Sequence, residues 1–237
     1  MFISPLVGYA TNDAGDYVHK MWGTCFVSMS ASQDGMFRLG DIKLSGSSWG
    51  NDTLCFLDPK TSIQDMSKDV TYYSEEEAGN PEDAEWEDID ENPMDDVEYP
   101  FGTGFICNFV SKGVKMTYAG QVNANADYST IDCTGKPFAT ICNIYPADLV
   151  FGQIKLENSS WGNDTICFLD PATSIQDMSR DITYYSEEEA GNPDDAEWED
   201  IDENCKDDVP LKIGEAFLCN FVSPNVKVIF PTYKAAE

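Results

Sequence analysis

Residues 47–92 read SSWGNDTLCFLDPKTSIQDMSKDVTYYSEEEAGNPEDAEWEDIDEN, and residues 159–204 read SSWGNDTICFLDPATSIQDMSRDITYYSEEEAGNPDDAEWEDIDEN. The two stretches are offset by 112 residues and are identical at 41 of 46 positions. The five differences are mild: Leu54/Ile166, Lys60/Ala172, Lys68/Arg180, Val70/Ile182 and Glu82/Asp194. Because a fixed internal period is typical of repeated structural units, the sequence predicts two copies of one module.

The similarity continues more weakly on both sides of this segment. The shorter matches are residues 40–44 (GDIKL) with 152–156 (GQIKL), residues 105–111 (FICNFVS) with 217–223 (FLCNFVS), and Cys25 with Cys142 after small insertions. A short polar stretch, residues 120–126, lies between the copies. We therefore predict a first acidic module over residues 1–121 and a second over residues 122–237.

Short apolar runs indicate β-strands. Runs of β-branched and aromatic residues bounded by Gly, Pro, Asn or Asp are typical of strands, and in the first copy they are residues 24–29, 37–44, 53–57, 70–74, 105–110 and 114–118. Only residues 61–68 (TSIQDMSK) have the pattern of a short helix. The spacing of the runs favours a sandwich or barrel. The predicted fold is mainly β, with two tandem β-sandwich or barrel-like domains related by internal duplication.

The charge balance excludes several classes of partner. The chain has 43 Asp and Glu against 14 Lys and Arg, a formal net charge of -29. Nucleic acids and anionic membranes require clustered basic residues, so binding to either is not expected. No apolar stretch is long enough to span a bilayer, and no membrane insertion is expected. The charge favours a basic protein surface, or cations such as calcium where carboxylates converge.

Most of the charge is concentrated in two acidic tracts. Residues 75–98 hold 13 carboxylates without Lys or Arg, and residues 187–208 hold 12 with one Lys. A calcium site is one interpretation, and a solvated loop is the other. The candidate ligands are Glu87, Asp88, Asp90 and Glu91, with Glu199, Asp200, Asp202 and Glu203 as their counterparts.

A tryptophan lies at the centre of each acidic tract. Trp86 and Trp198 are candidate ligand-binding residues, because an exposed aromatic ring can stack on a sugar ring. The alternative is that both pack in the core or at its rim.

The eight cysteines favour disulfides over a zinc site, because His19 is the only histidine and no C-x-x-C pair occurs. Cys133 and Cys205 occur only in the second copy and are predicted to pair. Cys55–Cys107 and Cys167–Cys219 are predicted to cross-link strands within each module. Cys25 and Cys142 are left unpaired or joined elsewhere. The alternative is that the cysteines are small buried apolar residues in a reducing cytosol.

Three short motifs carry a resemblance. They are Trp86-Glu87-Asp88, residues 102–105 (GTGF) and residues 117–122 (TYAGQV). Together they resemble repeated β-modules of secreted or surface-displayed bacterial proteins of largely unassigned function. The second copy departs from the glycine motif, with GEAF at residues 214–217. The resemblance implies a non-catalytic surface role and carries no catalytic residues to this chain.

These observations predict a non-catalytic extracellular structural protein that self-assembles, such as a subunit of a fibre, a pilus-like filament or a surface layer. Residues 2–10 could add as a strand to a neighbour's sheet, or form the first strand of their own domain. The alternative function is a cell-surface adhesion module that binds glycans or calcium. No enzymatic activity is expected.

Overall fold

The computed structural model describes residues 7–47, 50–73, 85–122, 129–160, 162–186 and 197–232. As predicted, this part of the chain is mainly β, with antiparallel strands in several sheets. Its helical structure consists of 3-10 turns at Leu39–Asp41, Met66–Lys68, Phe151–Gln153 and Met178–Arg180. The helix predicted for residues 61–68 is therefore limited to a single three-residue turn.

The first half of the chain, residues 7–122, contains two larger sheets. Its strands are β1 (Val7–Asp13), β2 (His19–Gly23), β3 (Phe26–Val27), β4 (Met36–Arg38), β5 (Ile42–Ser45), β6 (Asp52–Cys55), β7 (Val70–Tyr73), β8 (Glu85–Glu87), β9 (Glu98–Pro100), β10 (Gly104–Asn108) and β11 (Lys115–Val122). One sheet has the order β2-β10-β6-β7-β8. In the other, β11 pairs with β1, β3 and β5, and a small ladder joins β4 to β9.

The second half, residues 129–232, has the same plan. Its strands are β12 (Thr130–Asp132), β13 (Phe138–Cys142), β14 (Leu149–Val150), β15 (Lys155–Glu157), β16 (Thr165–Cys167), β17 (Ile182–Tyr185), β18 (Glu197–Glu199), β19 (Pro210–Leu211), β20 (Ala216–Asn220) and β21 (Lys227–Ile229). The five-stranded order β13-β20-β16-β17-β18 corresponds strand by strand to that of the first half, and β21 pairs with β12 and β15.

Side chains from both larger sheets form the core of the first half. Strand β11 shows why, because its buried and exposed positions alternate along the chain, and successive side chains of a strand point to opposite faces. Met116 and Tyr118 on β11 are buried in the same cluster as Phe105 and Leu54 of the five-stranded sheet. A separate cluster of this kind occupies the second half.

The amino-terminal strand belongs to its own half. Strand β1 pairs antiparallel with β11, with Val7 opposite Gln121 and Asp13 opposite Lys115. Residues 7–10 thus form part of the first strand of their own half, the alternative given above, and residues 2–6 lie outside the described part. Strand addition to a neighbour's sheet stays a prediction. Strand β11 itself continues through Val122.

The two halves meet through equivalent strands that exchange equivalent backbone hydrogen bonds. The four bonds are His19 N to Pro171 O at 3.2 Å, Phe138 N to Pro59 O at 3.0 Å, Gly23 N to Gly214 O at 2.9 Å, and Cys142 N to Gly102 O at 3.0 Å. The acceptors are offset by 112 residues and the donors by 119. Each half thus gives the other the same donors and acceptors, so the junction has approximate two-fold symmetry.

This symmetry corrects the sequence alignment of the early strands. Gly23, not Cys25, is the counterpart of Cys142, because each donates the equivalent bond at the junction. Ala14 and Cys133 are also counterparts, since their N–H groups donate to Val114 and Val226 at 2.9 and 3.0 Å. The offset between Ala14 and Cys133 is 119 residues, the same as between Gly23 and Cys142.

Candidate functional site

Part of the first acidic tract, residues 75–98, forms strand β8, and the central residue of this strand is the buried Trp86. Strand β8 pairs with β7 so that Trp86 lies opposite Tyr72, and the centroids of their rings are 4.8 Å apart. The Trp86 Nε1 donates a hydrogen bond of 2.9 Å to the carbonyl oxygen of Ile42. The polar group of the ring is thereby satisfied inside the core.

The second half repeats this arrangement at Trp198, whose Nε1 donates at 3.0 Å to the carbonyl oxygen of Ile154. Trp86 and Trp198 are 0% and 1% exposed. Stacking on a sugar requires an exposed ring face, so the predicted ligand-binding role of both tryptophans is wrong. Strand alternation is the reason, because each Trp points into the core between two half-buried glutamates.

A tight acidic turn follows each of these strands. Asp88 Oδ1 accepts hydrogen bonds from the backbone N–H and the Nδ2 of Asn92 at 2.9 and 3.1 Å. The Asn92 side chain, the largest cause, lowers the pKa of Asp88 because it stabilises the charged form. At the counterpart Asp200, the Lys206 ammonium lies 2.7 Å away and is the largest cause of a lowered pKa. Both aspartates therefore stabilise their own turns.

The glutamates beside these turns behave in the opposite way. Burial is the largest cause of a raised pKa at Glu87, followed by the charges of Glu85, Glu91 and Asp88. Glu199 has a raised pKa for the same leading reason. Like charges therefore crowd one side of each turn.

The predicted calcium ligands do not form a cluster in the described part of the chain. They are Glu87, Asp88, Asp90 and Glu91 in the first half and Glu199, Asp200, Asp202 and Glu203 in the second. Among the described residues, no group of three or more His, Cys, Asp or Glu is arranged to hold a metal ion. Calcium binding stays a prediction.

All eight cysteines are free thiols, and the register of the sheet explains why the predicted pair Cys55–Cys107 is wrong. Cys55 lies opposite Ile106, the residue before Cys107 on β10. Neighbouring positions on a strand point to opposite faces, so the two sulfur atoms lie on opposite sides of the sheet. The same register separates Cys167 from Cys219.

The predicted pair Cys133–Cys205 is also wrong. Cys133 is 2% exposed within the core of the second half, and burial raises the pKa of its thiol to about 11. Cys205 is exposed and forms an isolated bridge with Glu199 at the acidic turn. Their counterparts in the first half are Ala14 and Pro93.

Exposed apolar side chains recur at matching positions in the two halves. The pairs are Ile63 and Ile175, Met66 and Met178, Ile89 and Ile201, and Val110 and Val222, all between 62% and 84% exposed. Three of these pairs lie within the nearly identical segment, next to carboxylates such as Asp65 and Asp88. We call these eight residues the repeated apolar positions. Sequence reasoning missed them because isolated apolar residues in short polar segments do not show whether they are buried or exposed.

A cleft lies at the junction of the two halves. It is lined by β1 and β2 of the first half and by residues 148, 168, 169, 171, 180, 212, 213, 215 and 216 of the second, with a volume of about 380 Å³. Lys20, Arg180 and Lys212 line it together with Asp13, Asp148 and Glu215. Sequence reasoning missed this site too, because its residues lie far apart in the chain and meet only through the junction.

No family model, curated protein or solved structure matches the chain. None of the helices in the described ranges is long and apolar enough to cross a membrane. The described geometry therefore offers two candidate sites, the paired acidic surfaces with their repeated apolar positions and the cleft between the halves.

Proposed function

We propose that the chain is a non-catalytic structural protein that assembles through two copies of one acidic surface. In this proposal the two halves are β-sandwich modules related by internal duplication, as the strand order shared by their five-stranded sheets suggests. The observation that carries the proposal is the exposure of the repeated apolar positions in both halves. Exposed apolar groups gain free energy when a contact removes them from water.

The segment that carries these residues supports the same function. It is nearly identical in the two halves, whereas apolar-rich flanking stretches differ more. A recent copying of this segment alone would leave the same pattern, so the exposure of its apolar side chains is the stronger support.

The net charge determines the conditions for such assembly. At a net charge of -29, two copies repel each other at low ionic strength, and salt or divalent cations weaken the repulsion. Self-association through the apolar positions is therefore expected to increase with ionic strength. A contact dominated by ion pairs would show the opposite dependence.

Sedimentation velocity over a range of protein and salt concentrations tests the proposal. We expect association to grow with both, and to be lost in a variant with Ile63→Ser, Met66→Ser, Ile175→Ser and Met178→Ser. The matched control replaces two other exposed apolar residues, Met29→Ser and Tyr9→Ser, which have no counterpart among the repeated positions. A monomer under every condition, or equal loss in the control, would refute assembly through this surface.

A surface-displayed calcium-binding module is the second candidate. It is favoured by the raised pKa of Glu87 and of Glu199, which comes first from burial and then from neighbouring like charges, because a bound cation would stabilise the ionised carboxylates. Thermal unfolding with calcium and with chelator separates the two functions. An increase in melting temperature with calcium but not with magnesium, without any change in sedimentation, would favour the module. Glycan binding through Trp86 and Trp198 has no support, because both rings are buried.

An extracellular or cell-surface location goes with this proposal. Its support is the resemblance to displayed β-modules. Disulfides, which are typical of extracellular proteins, no longer support it because all eight cysteines are free thiols.

A further inference from the structure

The junction cleft contains both charges and apolar surface. Leu169 and Ile213, both only partly buried, contribute apolar surface, and the three cations and three carboxylates named above balance in formal charge. A cleft with an apolar wall and a few polar groups at fixed positions is the usual form of a small-molecule site.

The carboxylates of the cleft already have partners. Asp148 accepts from Lys212 Nζ at 2.7 Å and from the N–H of Ile213 at 3.1 Å. Glu215 Oε2 accepts from the N–H of Lys212 at 2.9 Å, and Asp13 Oδ1 accepts from the N–H of Gly15 at 2.8 Å. Each carboxylate of the cleft therefore already accepts a hydrogen bond from the chain itself.

Two cations of the cleft, Lys20 and Arg180, have weaker contacts with carboxylates than Lys212 has. Lys20 Nζ lies 4.4 Å from the centroid of the Tyr17 ring and forms no ion pair within the described residues. Burial, the largest cause, lowers the pKa of Lys20, so an anionic partner would relieve this cost. Arg180 stacks on Phe168, and its nearest contact with Glu215 is 3.9 Å, longer than a hydrogen bond.

The approximate two-fold symmetry supplies an internal comparison. A second groove, lined by residues 56, 57, 59, 103, 104, 136 and 138–140, occupies the equivalent place and has a volume of about 160 Å³. There Ala139 is the counterpart of Lys20, and Thr103 is the counterpart of Glu215. The junction cleft is thus the larger of two equivalent grooves and is lined by both cations and carboxylates, whereas the charged residue that lines the second groove is Lys136.

We propose that the junction cleft binds a small organic monocarboxylate, with the carboxylate held by Lys20 and Arg180 and the apolar body against Leu169 and Ile213. The Arg180 fork matches the two oxygens of a carboxylate. A monoanion is favoured over a dianion because the rest of the chain is strongly negative. This site is independent of the acidic surfaces proposed for assembly.

Chemical-shift titration of the full chain with phenylacetate tests the proposal, with 2-phenylethanol as the neutral probe and phenylphosphate as the dianion. We expect saturable shifts at cleft residues with phenylacetate, and affinity at least about tenfold lower for the other two probes. Lys20→Met and Arg180→Met should each weaken phenylacetate binding by roughly tenfold or more, because each removes a charge-assisted hydrogen bond. Lys136→Met, which removes one cation from the second groove, should leave it unchanged.

Glu215→Thr keeps the test decisive if a cation variant folds poorly. It installs the residue of the second groove and removes a carboxylate beside Arg180, so phenylacetate should bind more tightly. The proposal is overturned by the absence of saturable binding, by equal affinity for 2-phenylethanol, by tighter binding of phenylphosphate, or by equal weakening in Lys136→Met.

Discussion

The backbone N–H of Gly23 donates a hydrogen bond of 2.9 Å to the carbonyl oxygen of Gly214, and this bond joins the two halves of the chain. The equivalent bond on the other side of the junction runs from Cys142 to Gly102. Gly23 packs directly against its own counterpart, since a Cβ at this position would lie 2.5 Å from both Cβ and Sγ of Cys142. The absence of a side chain at Gly23 is therefore a requirement of the junction.

Gly23→Ala is expected to destabilise the chain by about 1–3 kcal/mol, because the added methyl group overpacks the junction. Urea unfolding measures the change. Combining it with Cys142→Gly removes the side chain that the new methyl group meets, so the double variant should recover part of the loss. A single variant as stable as the wild type, or a double variant no better than the single one, would contradict this view of the junction.

Trp198→Phe is expected to destabilise the second half by about 1–3 kcal/mol. The substitution removes the donor that satisfies the Ile154 carbonyl oxygen inside the core and leaves that oxygen unpaired. Trp86→Phe should have a similar effect, because Trp86 donates to Ile42 in the same way. Trp22→Phe is the control, since the Trp22 ring nitrogen makes no hydrogen bond within the described residues, and it should cost less. Equal losses at Trp22 and Trp198 would argue against a role for the hydrogen bond.

The fold could be predicted from sequence wherever one face of a strand is apolar. Residues 114–118 alternate in polarity, and they lie at the start of β11. Strand β8 was harder to recognise, because Trp86 stands between glutamates in a charged run. Polar and apolar residues alternate in β8 as well, but with a single apolar residue among carboxylates the pattern is too short to indicate a strand.

Register and the packing of the halves could not be predicted in this way. The disulfide prediction failed because strand order does not reveal that Cys55 lies opposite Ile106. Residue identity also misaligned Cys25 with Cys142, whereas the hydrogen bonds make Gly23 the counterpart of Cys142. The cleft depends on Lys20 and Arg180, which the junction brings together from different halves.

One cysteine is expected to react rapidly with a thiol reagent in the native state. Seven of the eight are buried and Cys205 is exposed. Burial also raises the pKa of the core thiols, to about 12 for Cys25, and so reduces the reactive thiolate. Titration with a chromogenic disulfide should show one fast thiol, and all eight after unfolding. Cys205→Ser should lose the fast phase, whereas two or more fast thiols would contradict the described burial.

Glu199→Gln is expected to stabilise the chain near neutral pH. The pKa of Glu199 is raised above its ordinary value of 4.5, with burial as the largest cause. Its ionised form is therefore disfavoured in the folded state, a cost that is absent below pH 4.5 and appears as the pH rises through the raised pKa. The gain at about pH 7 should reach at most about 0.5 kcal/mol, because solvent screens this partly exposed side chain.

Asp200→Asn supplies the matched control with the opposite sign. The pKa of Asp200 is lowered below 3.8, chiefly by the hydrogen bond from Lys206, so its ionised form contributes stability above that pH and loses it as the pH falls through the lowered pKa. Urea unfolding at about pH 7 and pH 4 distinguishes the two residues. The gain from Glu199→Gln should shrink at the lower pH, whereas the loss from Asp200→Asn should persist, because Asp200 is still ionised there. Equal effects of Glu199→Gln at both pH values, or destabilisation by this variant at pH 7, would show that the ionised form of Glu199 does not destabilise the folded chain.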